Sequence, residues 1–252
     1  MNILLTNDDG IRAEGLDSLY RVLSERHRVY AIAPDSEKSA CSNAITVRTE
    51  IHLENLDEFR YSVNAYPADC VNIGLNGTII PEIDLVISGI NHGPNVGDDI
   101  FFSGTVAGAR TAYIFGKTGI AVSVDSYHRP SVHFDDASRF VMDFIDEISG
   151  EMAHKPLFFN INYPDLPRDR IKGVRYTFSG KRIYNDSFMK TKVESGAMKL
   201  EVSGVINSVD IDGSDAKALH QGYISITPMT LECTDMSYLK KRFTGIIDSS
   251  KK

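Results

Sequence analysis

Residues 1–34 read MNILLTNDDG IRAEGLDSLY RVLSERHRVY AIAP, and this stretch decides the fold. Residues 3–5 form a short, unbroken apolar run, which is typical of a strand buried on both faces of a parallel sheet. Residues 29–33 form a second such run, which Pro34 ends. Between the two runs, one helical face carries the apolar residues Leu16, Leu19, Val22 and Leu23. Strand, helix and strand in this order predict a βαβ unit, in which a right-handed crossover joins two parallel strands.

The same alternation continues along the chain. We predict further strands over residues 84–88, 120–124 and 157–161, and helices over residues 69–75, 105–115 and 134–148. Alternating strands and helices of these lengths are typical of doubly wound α/β proteins. The predicted fold class is therefore α/β, with a mostly parallel, Rossmann-like sheet over residues 1–163.

The pattern changes near Pro164. From there to about residue 213, short β-type stretches alternate with polar and glycine-containing turns, which predicts an extension of β-hairpins. A return strand over residues 223–228 and a terminal helix over residues 238–247 follow. We therefore divide the chain into an α/β core (1–163) and a C-terminal part (164–252), and we expect the hairpin extension to make oligomer contacts.

Composition excludes several classes of protein. The chain has 252 residues, of which 42% are apolar and 24% charged, so intrinsic disorder, coiled coil and collagen are excluded. A formal net charge of −7 argues against a nucleic-acid duplex as partner. No run approaches the roughly 18 apolar residues of a membrane span. The N-terminus lacks the pattern of a signal peptide, and three widely spaced cysteines fit a reducing compartment. We expect a cytoplasmic protein without membrane contact.

Oxygen-rich loops follow three of the predicted strands, at residues 7–10, 34–43 and 89–99. Because the carboxyl ends of parallel strands meet at one edge of a sheet, we expect these loops to lie together. The adjacent carboxylates of Asp8 and Asp9 repel each other unless a cation lies between them. Oxygen ligands favour Mg²⁺ or Mn²⁺ over zinc. Asn-Asp-Asp-Gly is also an ordinary turn, in which Asp9 could cap the next helix.

Ser103, Gly104 and Thr105 open a predicted helix rich in small residues. Free amides and the positive end of the helix dipole would bind an anion there, although a plain serine N-cap explains the same sequence. His92, in the glycine-rich loop, is a candidate substrate contact. Signature motifs of dinucleotide oxidoreductases, P-loop NTPases, zincins and α/β-hydrolases are absent from the sequence.

These motifs together resemble the SurE (survival protein E) nucleotidases. The matching blocks are residues 3–10 (ILLTNDDG), 33–46, 67–71, 88–97 (SGINHGPNVG), 103–109 (SGTVAGA) and 214–228. Ala40 departs from the family, in which a glycine is usual, and would stiffen its loop without removing a ligand. Residues 168–207 match weakly, so no functional residue is carried over from that segment.

The resemblance implies a metal-dependent phosphatase that acts on nucleoside monophosphates, in some members also on 3′-nucleotides or polyphosphate. It implies that Asp8, Asp9, Ser39 and Asn91 hold one divalent cation per subunit, with Mg²⁺ or Mn²⁺ expected. Members of the family form dimers or tetramers, so a homodimer or homotetramer is expected here.

The resulting hypothesis is hydrolysis by cation-activated water. One of Asp8 and Asp9 would act as general base, and the residues expected to bind the phosphoryl oxygens are Asn43, Asn95, Ser103, Gly104 and Thr105. Two alternatives remain: a nucleotide-binding module without catalysis, and a phosphoryl-transfer enzyme with an aspartyl-phosphate at Asp8. The second predicts a trappable phosphoenzyme, although the usual Asp-x-Asp spacing is absent.

Overall fold

The computed structural model describes residues 1–126, 133–192 and 198–247. Its strands are β1 (Asn2–Thr6), β2 (Arg28–Pro34), β3 (Leu53–Asn55), β4 (Arg60–Val63), β5 (Leu85–His92), β6 (Thr118–Val124), β7 (Phe158–Tyr163), β8 (Val174–Tyr176), β9 (Arg182–Lys192), β10 (Met198–Ser208) and β11 (Ile224–Pro228). Its α-helices are α1 (Glu14–Leu23), α2 (Pro67–Asn76), α3 (Gly104–Ile114), α4 (Phe134–Met152), α5 (Asp215–His220) and α6 (Met236–Ile247).

The central sheet has the strand order β3-β4-β2-β1-β5-β6-β7-β11-β8. From β4 to β7 all neighbouring strands are parallel, whereas β3 pairs antiparallel with β4 and β11 pairs antiparallel with β7. The chain leaves β1 toward β2 on one side and later returns to β5 on the other side. This reversal places a crevice at the carboxyl ends of β1 and β5, where ligands bind in open α/β sheets. The predicted doubly wound α/β fold is thus confirmed.

Helices cover both faces of the sheet. Side chains alternate along β1, so Ile3 and Leu5 pack in the cluster that contains α1 and α4 residues. Leu4 points to the opposite face, where it packs with Cys70 of α2 and Ala112 of α3. Burial on both faces explains why the sequence of β1 is an unbroken apolar run instead of an alternating one.

The predicted helices and strands of residues 1–163 are all present, and the largest difference is at the end of one strand. The strand predicted to end at Ser88 continues to His92 through an irregularity between Ser88 and Asn91. Gly89 makes this possible: its φ is +142°, and a Cβ there would lie 2.3 Å from the carbonyl oxygen of Val122. The extension carries Asn91 to the edge of the crevice.

Strands β3 and β4 have no counterpart in the sequence-based assignment. Residues of β3 are exposed, and the sequence of β4 is Arg-Tyr-Ser-Val, so neither segment has the apolar run that marks a buried strand. They form one edge of the sheet, where polar residues are ordinary.

Part of the segment 164–252 joins the central sheet. Strands β8 and β11 extend the sheet beyond β7, while β9 and β10 form a separate antiparallel pair with eleven partnered residues in each strand. The expected hairpin, return strand and terminal helix are present, although residues 193–197 and 248–252 lie outside the described residues. The division at residues 163 and 164 stays a prediction. Within the described ranges, no helix is both long and apolar enough to cross a membrane.

Candidate active site

A cavity of about 530 Å³ lies at the carboxyl ends of β1 and β5, where the strand order reverses. Its volume is in the range of small-molecule binding sites. Loops that follow β1, β2 and β5, the start of α3, and the β9–β10 hairpin all contribute to it. The lining residues are Asp8, Asp9, Glu37, Ser39, Ala40, Asn91, His92, Asn95, Asp99, Phe102, Ser103, Tyr184, Asp186 and Ile206.

Most of the site residues expected from the sequence meet in this cavity. They include the four residues to which the resemblance assigns a cation, and the lining set also contains three further expected residues, namely His92, Asn95 and Ser103. The expected residues of the first, second and third oxygen-rich loops are therefore brought together, as the position of these loops after parallel strands predicts.

Asp8 lies in the loop after β1, two residues beyond its end, and is 5% exposed. The pKa of its carboxyl group is raised from 3.8 to about 6: burial raises the pKa most, hydrogen bonds from Thr105 lower it, and the negative charge of Asp9 also raises it. The Thr105 hydroxyl donates to Oδ1 of Asp8. An ionised Asp8 is therefore costly in this position unless positive charge lies nearby.

Gly104 allows helix α3 to approach this carboxylate. A Cβ on Gly104 would lie 2.8 Å from Oδ2 of Asp8 and 2.7 Å from Sγ of Cys41, so a larger residue would displace one of them. Ser103 is the N-cap of the helix, and its hydroxyl oxygen accepts a hydrogen bond from the amide of Val106 at 3.0 Å. The N-cap interpretation of Ser103 is thus confirmed, and the positive end of the dipole of α3 faces the cavity.

Asn91 and Ser39 are oriented so that oxygen atoms remain for a ligand. The side-chain amide of Asn91 donates to the carbonyl oxygens of His92 and Gly93, at 3.1 Å and 2.8 Å, which leaves its own Oδ1 as an acceptor. The hydroxyl of Ser39 donates to Oε1 of Glu37 at 2.6 Å, which leaves the lone pairs of Oγ. Glu37, which the sequence analysis did not identify as a site residue, thus fixes the orientation of the Ser39 hydroxyl.

Asn95 is held by polar side chains from β6 and β7. Its backbone amide donates to Oδ1 of Asn162 at 2.8 Å, and its carbonyl oxygen accepts from the side chains of Asn160 and Asn162. Its side-chain amide donates to Ser123 at 2.9 Å. These partners are buried polar residues within strands, and buried polar groups need hydrogen-bond partners. The sequence shows polar residues in predicted strands, but they indicate a site only when the order of the strands in the sheet is known.

Two residues expected to bind phosphate have other contacts. Asn43 does not belong to the lining set, and its amide group lies 3.4 Å from the hydroxyl of Thr111 in α3. The Thr105 hydroxyl is used on Asp8, as described above. The phosphate-binding roles of these residues and of Gly104 stay predictions, as does the substrate contact of His92, whose ring packs edge-on against Phe134 with 4.7 Å between centroids.

The hairpin contributes residues that sequence reasoning missed. Tyr184 and Asp186 of β9 and Ile206 of β10 line the cavity. The hydroxyl of Tyr184 donates to Oδ1 of Asp99 at 2.7 Å, and Nε of Arg182 lies 2.8 Å from Oδ2 of the same carboxylate. These contacts join residues more than 80 positions apart, so no local sequence pattern marks them.

The donor set of the cavity consists of oxygen atoms. Among the described residues, no three or more His, Cys, Asp or Glu side chains are grouped so that they could hold a metal ion. Such a group is typical of zinc and other His- or Cys-bound metals. The set assigned by resemblance contains only two carboxylates, with a hydroxyl and an amide, and suits a hard cation.

Comparison with known proteins shows relatives over nearly the whole chain. A family model described as "Survival protein SurE" matches residues 3–186. The chain is 41% identical over 246 residues to the "5′-nucleotidase SurE" of Thermosipho africanus, with 96% of each chain covered. It is 39% identical over 253 residues to the protein of the same name from Leptospira interrogans, which covers 100% of this chain and 99% of the relative. The crystal structure of "Sure Protein from Aquifex aeolicus" superposes with a TM-score of 0.81 at 32% identity, over 96% of this chain and 99% of the other.

Proposed function

This chain belongs to the SurE family, and we propose that it hydrolyses nucleoside 5′-monophosphates to nucleoside and inorganic phosphate with the help of a divalent cation. Similarity over the full chain to several 5′-nucleotidases makes it a phosphoric monoester hydrolase. The observation that carries the proposal is the meeting of Asp8, Asp9, Ser39 and Asn91 with the N-terminus of α3 in one cavity.

The residues of the cavity fit a hard divalent cation. Asp8 is buried with a raised pKa beside a second carboxylate, and Asn91 retains an acceptor oxygen. A cation would stabilise the ionised pair, and Asp8, Asp9, Ser39 and Asn91 would hold it, with Mg²⁺ or Mn²⁺ expected from the oxygen donors. When bound, the ion supplies a Lewis acid and lowers the pKa of water.

The protein itself orients the phosphoester and moves the proton. Ser103 and the first amides of α3 face the oxygens of the phosphoryl group, where their partial positive charge stabilises the charge that redistributes in the transition state. Asn95, fixed by β6 and β7, binds a further phosphoryl oxygen. One of the two aspartates accepts the proton of the attacking water, and the hydrogen bond from Thr105 keeps Asp8 in place for this chemistry.

Release of phosphate from AMP tests the proposal. We expect turnover with Mg²⁺ or Mn²⁺, loss of turnover in EDTA, and recovery when the cation is added back. Asp8→Asn should abolish turnover, whereas Asp212→Asn, at an exposed carboxylate on the α5 side, should leave it unchanged. Near-native activity of Asp8→Asn in excess Mn²⁺ would contradict the assignment of the site.

The same assay separates the two alternatives. A binding module without catalysis would bind AMP and release no phosphate with any cation. An aspartyl-phosphate at Asp8 would give a phosphoenzyme that can be trapped by acid quenching. The buried position of Asp8 and its hydrogen bond to Thr105 favour a role in holding the cation or accepting a proton over nucleophilic attack.

The hairpin is the candidate oligomer contact. Both of its strands expose large apolar side chains, among them Phe188, Leu200 and Val202, the last of these 63% exposed. Contiguous exposed apolar surface is typical of protein interfaces. We propose a homodimer or homotetramer. Size-exclusion chromatography with light scattering would measure the molar mass and so distinguish the two. A cytoplasmic location is proposed on the three free thiols, which fit a reducing compartment.

A further inference from the structure

The cavity is lined by two chemically different groups of residues. One group contains the carboxylates of Asp8 and Asp9 together with Ser103, and the proposed reaction uses this group. The other group is Phe102, Tyr184 and Ile206, which present rings and an aliphatic side chain to the same space. The proposed phosphate chemistry uses none of these three side chains.

We infer that Phe102 and Tyr184 form the wall against which the nucleobase of the substrate packs. This inference rests on the proposed function and adds the residues that bind the nucleoside part. Phe102 directly precedes Ser103, the N-cap of the helix that would bind the phosphate. Because successive Cα atoms are about 3.8 Å apart, the ring lies within the length of one nucleotide from the phosphate position.

The backbone of Phe102 is fixed while its ring is accessible. The amide of Phe102 donates to the carbonyl oxygen of Asp99 at 2.9 Å, and its own carbonyl oxygen accepts from the amide of Ser42 at 2.8 Å. The residue is nevertheless 54% exposed. A half-exposed aromatic ring on a held backbone provides a stacking surface at little cost in conformational entropy.

Tyr184 is held in an orientation that offers its ring and not its hydroxyl. The hydroxyl is used on Asp99, and the ring contacts Phe102 edge to face, with 5.9 Å between centroids and 89° between planes. Ile206 is the partner of Tyr184 across the β9–β10 pair and closes the wall. The hairpin thus supplies part of the substrate site.

Packing of a nucleobase against this wall depends on the contact area and not on a pattern of hydrogen bonds. Phe102 and Ile206 have no polar side-chain atoms, and every nucleobase has a face that can stack. We therefore expect the wall to bind all bases, with purines gaining more than pyrimidines because they cover more of the ring.

Two phosphate esters that differ only by the base test the inference. Phe102→Ala should lower kcat/KM for AMP by roughly 5- to 150-fold, mostly through KM, since this is the factor that corresponds to the free energy of base stacking on an aromatic residue. For ribose 5-phosphate, which has no base to stack on the ring, kcat/KM should change by less than about twofold in Phe102→Ala. Phe102→Tyr should hydrolyse AMP about as well as the wild-type protein, because tyrosine keeps an aromatic ring at this position.

Phe101 offers a matched control. It is the adjacent phenylalanine, it is 58% exposed, and it stands outside the set of lining residues given above. Phe101→Ala should behave as the wild-type protein with both esters. An equal loss on AMP and ribose 5-phosphate in Phe102→Ala, or no loss on either, would overturn the inference.

Binding of adenosine separates this inference from the proposed function. Adenosine has no phosphate, so its binding in EDTA, followed by ligand-observed NMR, does not depend on turnover or on a cation. Weaker binding to Phe102→Ala than to Phe101→Ala supports the wall even if the wild-type protein releases no phosphate from AMP. Equal binding to the two variants overturns the wall even if the protein is an active nucleotidase.

Discussion

The hydroxyl of Thr105 donates a hydrogen bond to Oδ1 of Asp8, which joins the first turn of α3 to the loop after β1. The bond lowers the pKa of a carboxyl group that burial raises. It therefore favours the ionised form and fixes its direction toward the cavity. The sequence predicts that Thr105 binds phosphate, but its hydroxyl contacts Asp8 in the folded protein. Thr105 is therefore a positioning residue for this carboxylate.

Thr105→Val should reduce phosphate release from AMP by roughly 10- to 100-fold, because hydrogen bonds to charged groups contribute about 1.5–3 kcal/mol. Thr105→Ser, which keeps the hydroxyl, should retain activity close to that of the wild-type protein. Steady-state kinetics in saturating Mn²⁺ would measure both. Similar losses in the two variants would show that the methyl group of Thr105 matters and the hydrogen bond does not.

The sequence predicts the fold and the polar residues of the cavity because both depend on local patterns. The apolar run of β1 and the loop after it stand next to each other in the chain, so the position of Asp8 follows from the strand assignment. The place of Asn91 follows less directly, since β5 continues through Gly89 instead of ending at Ser88.

The part of the cavity that the hairpin supplies depends on contacts that leave no local signal in the sequence. Tyr184 reaches Asp99 across 85 positions, from a hairpin whose sequence matches the family weakly. Asn43 shows the reverse case, because a motif residue near the site in sequence contacts Thr111 and not the cavity. Side-chain direction at such positions is decided by tertiary packing, which a single sequence does not encode in any short window.

Removal of the cation should destabilise the wild-type protein and should leave Asp8→Asn unaffected. In EDTA, Asp8→Asn should melt at a higher temperature than the wild-type protein, because it removes a buried charge beside Asp9. Mn²⁺ at about a hundred times its dissociation constant should stabilise the wild-type protein by about 2.7 kcal/mol and should leave Asp8→Asn unchanged. Thermal unfolding with and without Mn²⁺ measures both effects. An equal rise in melting temperature in the two proteins would place the cation elsewhere.

Replacement of Asp98 and of Asp99, two neighbouring residues that contact the start of the hairpin, should change the free energy of unfolding by different amounts. Asp99 faces Arg182 with exposed side-chain fractions of 16% and 9%, whereas Asp98 faces Lys181 at 27% and 62%. Asp99→Ala removes the carboxylate that faces a buried guanidinium and should cost roughly 3 kcal/mol, whereas Asp98→Ala should cost about 1 kcal/mol or less. Urea unfolding of both variants would measure the difference. Equal costs would mean that the pair with Arg182 does not hold the hairpin.

The buried thiol of Cys70 should make the protein less stable in alkali. Cys70 packs in the core beneath β1, and its burial raises the pKa of the thiol well above the 9.0 of an exposed group. Below about pH 9 the thiol is protonated in both states, so its contribution to the free energy of unfolding is constant. Above that pH the unfolded chain loses the proton while the folded chain keeps it, so stability falls by up to about 1.4 kcal/mol per pH unit.

Cys70→Ala lacks this ionisation, although it begins from lower stability because a cavity replaces the sulfur. The stability difference between the wild-type protein and Cys70→Ala should therefore shrink as the pH rises from about 8 to about 10. Cys233→Ala, which removes an exposed thiol, should stay parallel to the wild-type protein over the same range. Urea unfolding at several pH values would measure these differences. A constant difference for Cys70→Ala would mean that the thiol reaches solvent in the folded protein, and with it that helix α2 does not seal the core beneath β1.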